Sequence, residues 1–148
     1  MLDEQDIAAT ATLAPPLRDE EGVLRQDFVE QVDRAIESGD AGAVRALAVN
    51  LHHGDLGDLI EALEAERRPQ LIELLGHDFD FAALTEVDDT IRDEILEELP
   101  NETVAEGVRE LESDDAVTIL QDLPKQDQED ILDHLPAPER LALARSLL

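Results

Sequence analysis

The chain contains no cysteine, no tryptophan and no tyrosine, and only three phenylalanines. Without cysteine there are no disulfides, no thiolate nucleophile and no cysteine-bound metal, which fits a reducing compartment. Strands favour aromatic and β-branched residues, so the scarcity of aromatics argues against a sheet. Lysine occurs once, at Lys125. No apolar run approaches the roughly 18 residues that cross a bilayer, and the N-terminus does not read as a signal, so a soluble chain without direct membrane insertion is expected. Serine is confined to Ser38, Ser113 and Ser146. No nucleophile elbow, glycine-rich phosphate loop or H-E-x-x-H pair is present, and the chain reads as no enzyme.

What the chain does have is small aliphatic residues and negative charge. Apolar residues make up 43% of the 148, enough for one domain with a core of its own, and their types favour helices. Against 11 bases stand 38 acids, a net charge of −27. Such a surface repels nucleic acid and anionic lipid, so no nucleic acid partner is expected, and it attracts cations. Solubility, or adaptation to a salty cytoplasm, accounts for the same charge equally well.

Leu51, Leu63, Leu75, Val87, Leu99, Leu111, Leu123, Leu135 and Leu147 recur every twelve residues. A second column three residues earlier runs from Ile60 through Ile72, Leu84, Leu96, Val108 and Leu120 to Ala144. A third, one residue earlier again, runs from Leu59 through Leu71, Ile95, Ile119 and Ile131 to Leu143. Offsets of three and four mark one face of a helix. The prediction is an all-α, solenoid-like superhelical stack of about ten short helices with a 12-residue repeat, each too short to stand alone and stabilised by its neighbours. Pro69, Pro100, Pro124, Pro136 and Pro138 fall at or near helix ends, and Asp88, Asn101 and Ser113 where N-caps are wanted. Leu99, Leu111, Leu120 and Leu123 are expected to be the deepest of the core. Upstream, Phe28, Val32 and Ile36 share a face of a helix stopped by Gly39, and Asp40 caps a second. Residues 1–20 carry a Pro-Pro pair and little periodicity, and read as a flexible tail or arm ahead of a domain at 21–148.

One stretch is crowded: in RELESDDAVTILQDLP, Glu110, Glu112, Asp114 and Asp115 gather where a helix begins, with only Arg109 close by to offset them. A further stretch, AIESGDAGAVRALAVNLHHGDLGDLIEALEAERRPQLIELL, resembles the start of the cytosolic N-terminal domain of MgtE-type magnesium transporters and channels. EELPNETVAEGVRELESDDAVTILQDLP is similar to that domain's later repeats. The likeness spans roughly residues 26–148. It implies a regulatory domain preceding a CBS domain pair and a membrane pore, in a homodimeric full-length protein at the cytoplasmic face of the inner membrane. Mg2+ held weakly between the acidic domain and the CBS pair would favour the closed pore. The alternative is a helical-repeat scaffold for protein partners with no specific ion role, in the armadillo style of the flagellar motor switch protein.

The resemblance implies metal-bridging roles for Asp114 first and Asp115 second. The plainer reading of both is a first-turn acid serving the helix dipole, worth about 0.3–1 kcal/mol. Thr118 stands where relatives often carry another acid, and Ala82 where some carry a metal-facing one; Asp78, Asp80, Glu86 or Asp122 are the possible substitutes. His52 and His53 are adjacent, about 100° apart on a helix, and make a poor chelate. His52 reads as a capping or packing residue, and His77 and His134 as surface or corner residues.

Overall fold

The computed structural model describes residues 17–147. Among them stand nine α-helices: α1 Gln26–Glu37, α2 Ala41–Ala48, α3 His53–Ala62, α4 Arg67–Leu75, α5 Asp89–Glu98, α6 Asn101–Arg109, α7 Ser113–Leu120, α8 Lys125–Asp133 and α9 Ala137–Leu147. Two 3₁₀ segments, Gly76–Asp78 and Phe81–Glu86, separate α4 from α5. The described residues contain no strand, only one isolated antiparallel bridge between Arg18 and Leu24. The all-helical expectation holds. Of the expected N-terminal arm, residues 1–16 lie outside the described residues. Leu17 rests against the core, and the Arg18 guanidinium pairs with Asp55 and Asp58 on α3.

The columns form the core. Leu59, Ile60, Leu71, Ile72, Leu84, Leu120 and Ile131 are each almost wholly enclosed. Of the four leucines expected deepest only Leu120 is; Leu99 and Leu123 are buried but less deeply than Leu59, Leu71 or Ile131, and Leu111 is only half-buried. It sits in the corner between α6 and α7 rather than within a helix, so its side chain covers the core edge. Packing joins next-but-one helices: α2 on α4, α6 on α8, α7 on α9. For these helices the twelve-residue period places each one beside its neighbour's neighbour.

One repeat unit is not α-helical. At Gly76 the chain takes φ +56°, a left-handed conformation that glycine adopts without steric cost and that closes α4. Phe79 and Phe81 then both turn inward around exposed Asp80, edge to face with ring centroids 5.2 Å apart. That alternation is an extended pattern, incompatible with a helix at this point. The tighter winding that follows rises about 2.0 Å per residue, so six residues span about what eight would in an α-helix. This segment packs against both α3 and α7, joining the earlier helices to the later ones. Two glycines admit it. A Cβ on Gly57 would lie 2.9 Å from the Glu86 Cβ and 3.2 Å from the Ala83 carbonyl, and one on Gly107 would collide with the Phe81 ring.

Capping follows the expectation in part. Asp40 accepts from the Ala43 amide, Asp88 from Thr90, and His52 through Nδ1 from Gly54. Ser113 and Asn101 are not caps. Glu112 and Pro100 occupy those positions without a side-chain cap bond, and Asn101, the first residue of α6, donates instead to Asp130 at 2.8 Å. Pro100 fixes the backbone before α6 and removes one unpaired amide there, and α6 begins without a side-chain cap.

Two helix ends are completed from downstream. The Gln128 amide nitrogen donates to the carbonyls of Leu120 at 2.8 Å, and of Gln121 and Leu123 at 3.2 Å, closing the end of α7. Arg68 does the same for α3, with Nε on the Ile60 carbonyl at 2.8 Å and Nη2 on that of Glu61 at 3.2 Å. Ile60 and Leu120 stand in one column, five periods apart, and Arg68 and Gln128 each lie eight residues further on.

Candidate functional site: the acidic face

Between residues 76 and 135 the chain carries 20 acids and three bases. Those three bases offset little of the charge. Arg92 is buried in α5, and its Nη2 meets Asp89 at 2.9 Å and Asp122 at 3.8 Å. Arg109 reaches away from the crowded corner to Glu139 on α9, at 3.6 Å. Lys125 makes no ion pair among the described residues.

Glu110 closes α6, Glu112 opens α7, and Asp114 and Asp115 fill its first turn, where the dipole favours them. Asp114 is exposed and Asp115 half-buried, and neither forms an ion pair among the described residues. Asp114 also holds the helix start through its backbone, since Thr118 donates its hydroxyl to the Asp114 carbonyl at 3.0 Å. Thr118 and Ala82 are half-buried and bring no carboxylate. The four possible substitutes are engaged elsewhere: Asp78 with Arg45 at 2.8 Å, Asp80 with the Ala82 amide, Glu86 with His53 at 3.3 Å, and Asp122 with Arg92. Among the described residues no three His, Asp or Glu side chains converge to hold a metal ion. The face therefore offers single carboxylates and adjacent pairs. All are hard oxygen donors of the kind Mg2+ accepts while keeping its remaining waters.

Local repulsion of this size should make the fold salt-dependent. The thermal midpoint should rise with added salt, and more with magnesium chloride than with sodium chloride at matched ionic strength, because divalent ions neutralise adjacent carboxylates jointly. Paired melting curves measure the difference; superimposable curves would leave the acids as general salt adaptation.

Beneath the face lies a buried cluster that no sequence motif marks. Arg92 Nε and one Asp93 carboxylate oxygen are buried without a partner among the described residues. Burial, reinforced by the Asp122 charge, holds the Asp93 carboxyl above its ordinary value, with Arg92 pulling the other way. The folded state therefore keeps this proton to higher pH than the unfolded chain. Its contribution to stability is present at low pH and lost as pH rises through the folded value. Asp93→Asn should accordingly raise the melting midpoint near pH ~7, and the gain over wild type should shrink toward pH ~4. A constant gain across that range, read by calorimetry, would remove burial of the charge as its cause.

Among the described residues no helix is long and apolar enough to cross a membrane. A comparison with curated proteins yields no match. A solved structure described as the soluble part of a magnesium transporter superposes with a TM-score of 0.65 at 19% identity, over 82% of this chain and 48% of that one. The present chain thus spans about half the length of that relative, and the likeness is one of fold. The sequence model of the family described as MgtE intracellular N domain matches residues 51–148, about two-thirds of the chain, including the crowded corner and every helix from α3 onward. This chain belongs to the MgtE intracellular N domain family.

Proposed function

We propose that this chain is the regulatory, magnesium-sensing domain of a magnesium transporter or channel, placed at the cytoplasmic face of the inner membrane. Residues 21–148 form the domain and residues 1–20 an arm ahead of it. Its acidic face binds Mg2+ jointly with a CBS domain pair of the same full-length homodimeric protein. The observation that carries this reading is the exposed Asp114 carboxylate, unpaired among the described residues, inside the segment matched by the family. Mg2+ is held by one or two protein carboxylates with several waters retained, so a carboxylate here and another on a facing domain suffice. Without the ion the two acidic surfaces repel, and with it they dock, so occupancy shifts the population between two arrangements and favours a closed pore when Mg2+ is abundant.

The isolated domain holds only half of such a site. It should bind Mg2+ in the millimolar range or more weakly, where 1 mM corresponds to about −4.1 kcal/mol. Asp114→Ala should leave the fold intact, an exposed first-turn acid contributing about 0.3–1 kcal/mol. In a chain extended through the CBS pair, protease protection of the interdomain linker, titrated with Mg2+, should require more ion for Asp114→Ala than for wild type, with Asp115→Ala intermediate. Superimposed titrations would reduce Asp114 to a helix-start acid.

A further inference from the structure

Carboxylates fasten the starts of α2, of the second 3₁₀ segment and of α5, where Asp40, Asp80 and Asp88 each accept a backbone amide. The start of α3 is fastened differently, by His52, whose Nδ1 accepts from the Gly54 amide at 3.1 Å. A backbone amide only donates, so this bond fixes the tautomer: Nδ1 carries no proton and Nε2 does. A carboxyl group keeps an acceptor oxygen in either protonation state, whereas an imidazolium has donors at both nitrogens and no acceptor. The His52 side chain is exposed, and protons from solvent reach it.

We infer that the start of α3 is a pH-sensitive joint, in which protonation of His52 removes the cap and loosens the hold of α3 on Arg18. The first turn of α3 carries Asp55, which together with Asp58 one turn on binds the Arg18 guanidinium from ahead of α1. Cap and anchor therefore share a turn. Protonated, the ring would set a donor against the Gly54 amide, and the bond could not persist. The neighbouring groups favour this release. His53 stacks on His52 with ring centroids 4.1 Å apart, so a charge on each would face its like. Glu86, from the 3₁₀ segment packed on α3, lies 3.3 Å from His53 Nε2 and forms no ion pair with His52 among the described residues. Asp55 and Asp58, the nearest acids on α3 itself, are engaged by Arg18. The cap thus contributes while the ring is neutral, at high pH, and is lost as pH falls through the titration of the ring. This inference is independent of the Mg2+ reading, which concerns the start of α7.

Asparagine accepts the same amide and does not titrate, so His52→Asn is the informative variant. The ¹⁵N-labelled full chain would be titrated between pH ~8 and pH ~5, the range in which histidine side chains change charge. In wild type the Gly54 amide and the Arg18 Nε–H should shift along the same curve as the His52 ring. The His52→Asn variant should lose most of both shifts. Over the same pH range the thermal midpoint of wild type should fall relative to His52→Asn by roughly 2–4 °C, what one helix cap is worth in a chain of this length. His53→Gln should leave most of that fall in place, which separates the cap from the stacking of the two rings. A Gly54 or Arg18 signal that ignores the ring, equal shifts in His52→Asn, a midpoint difference that does not change with pH, or one abolished by His53→Gln would each overturn the inference.

Discussion

Leu120→Ala should lower the free energy of unfolding by about 2–5 kcal/mol in urea denaturation, the range for a leucine truncated in a core that cannot collapse around the gap. Leu120 is fully enclosed, on a helix that packs against both α9 and the second 3₁₀ segment. The cavity would therefore open where the segment joining the earlier and later helices makes its contact. Leu111→Ala removes the same atoms from a half-buried corner and should cost about 1–2 kcal/mol, since part of that side chain already faces water. The ratio between the two is the informative quantity. Equal losses would mean that depth in the columns does not govern stability.

Gln128→Ala should be the next most damaging change. Gln128 is itself buried, and its amide is shared among three carbonyls, with the contacts to Leu120 and Leu123 enclosed. Stranding a buried acceptor costs about 1–3 kcal/mol, so the loss of two should total roughly 2–4 kcal/mol after partial rehydration of the helix end. Gln128→Glu separates this account from a simple packing loss. It keeps the length of the side chain but presents acceptors to acceptors, and should be at least as destabilising as alanine. Hydrogen exchange should show the extra opening at the end of α7; a glutamate variant as stable as wild type would remove the capping role.

The helical class was legible because the columns repeat often enough to outweigh any single substitution. Positions 59, 60, 71, 72, 119 and 120 fall at helical spacing within each unit, and all six are buried. The 3₁₀ stretch was not legible on that ground. Ala83, Leu84 and Val87 satisfy the column pattern, yet the inward pair Phe79 and Phe81 sets an alternation that a continuing α-helix cannot hold. Ser113 and Asn101 were misplaced as caps because residue type alone does not tell the cap from the first helical position one residue on. Nothing local sets Arg68, Arg92 and Gln128 apart from the other long polar residues of these helices. Their common spacing of 24 and 36 residues, both multiples of twelve, was the available signal. At the candidate ion face, the exposure and crowding of the carboxylates follow from composition. The departure of Arg109 to Glu139 depends on tertiary placement of α9, which no local pattern encodes.

The reach from Gln128 back to Leu120 and from Arg68 back to Ile60 bears on how this chain tolerates changes of length. Connecting loops ordinarily absorb insertions, being exposed and free of obligations to the elements they join. Here each corner is spanned by a side chain that must arrive at carbonyls eight residues behind it. One added residue at position 122 or 65 would carry that donor past its acceptors and rotate the following helix by about 100° relative to the core. A whole unit of twelve added outside these two corners would leave both eight-residue reaches intact. Variation in the length of this domain should therefore come in whole units, with the corners between α3 and α4 and between α7 and α8 as its least permissive sites for insertion.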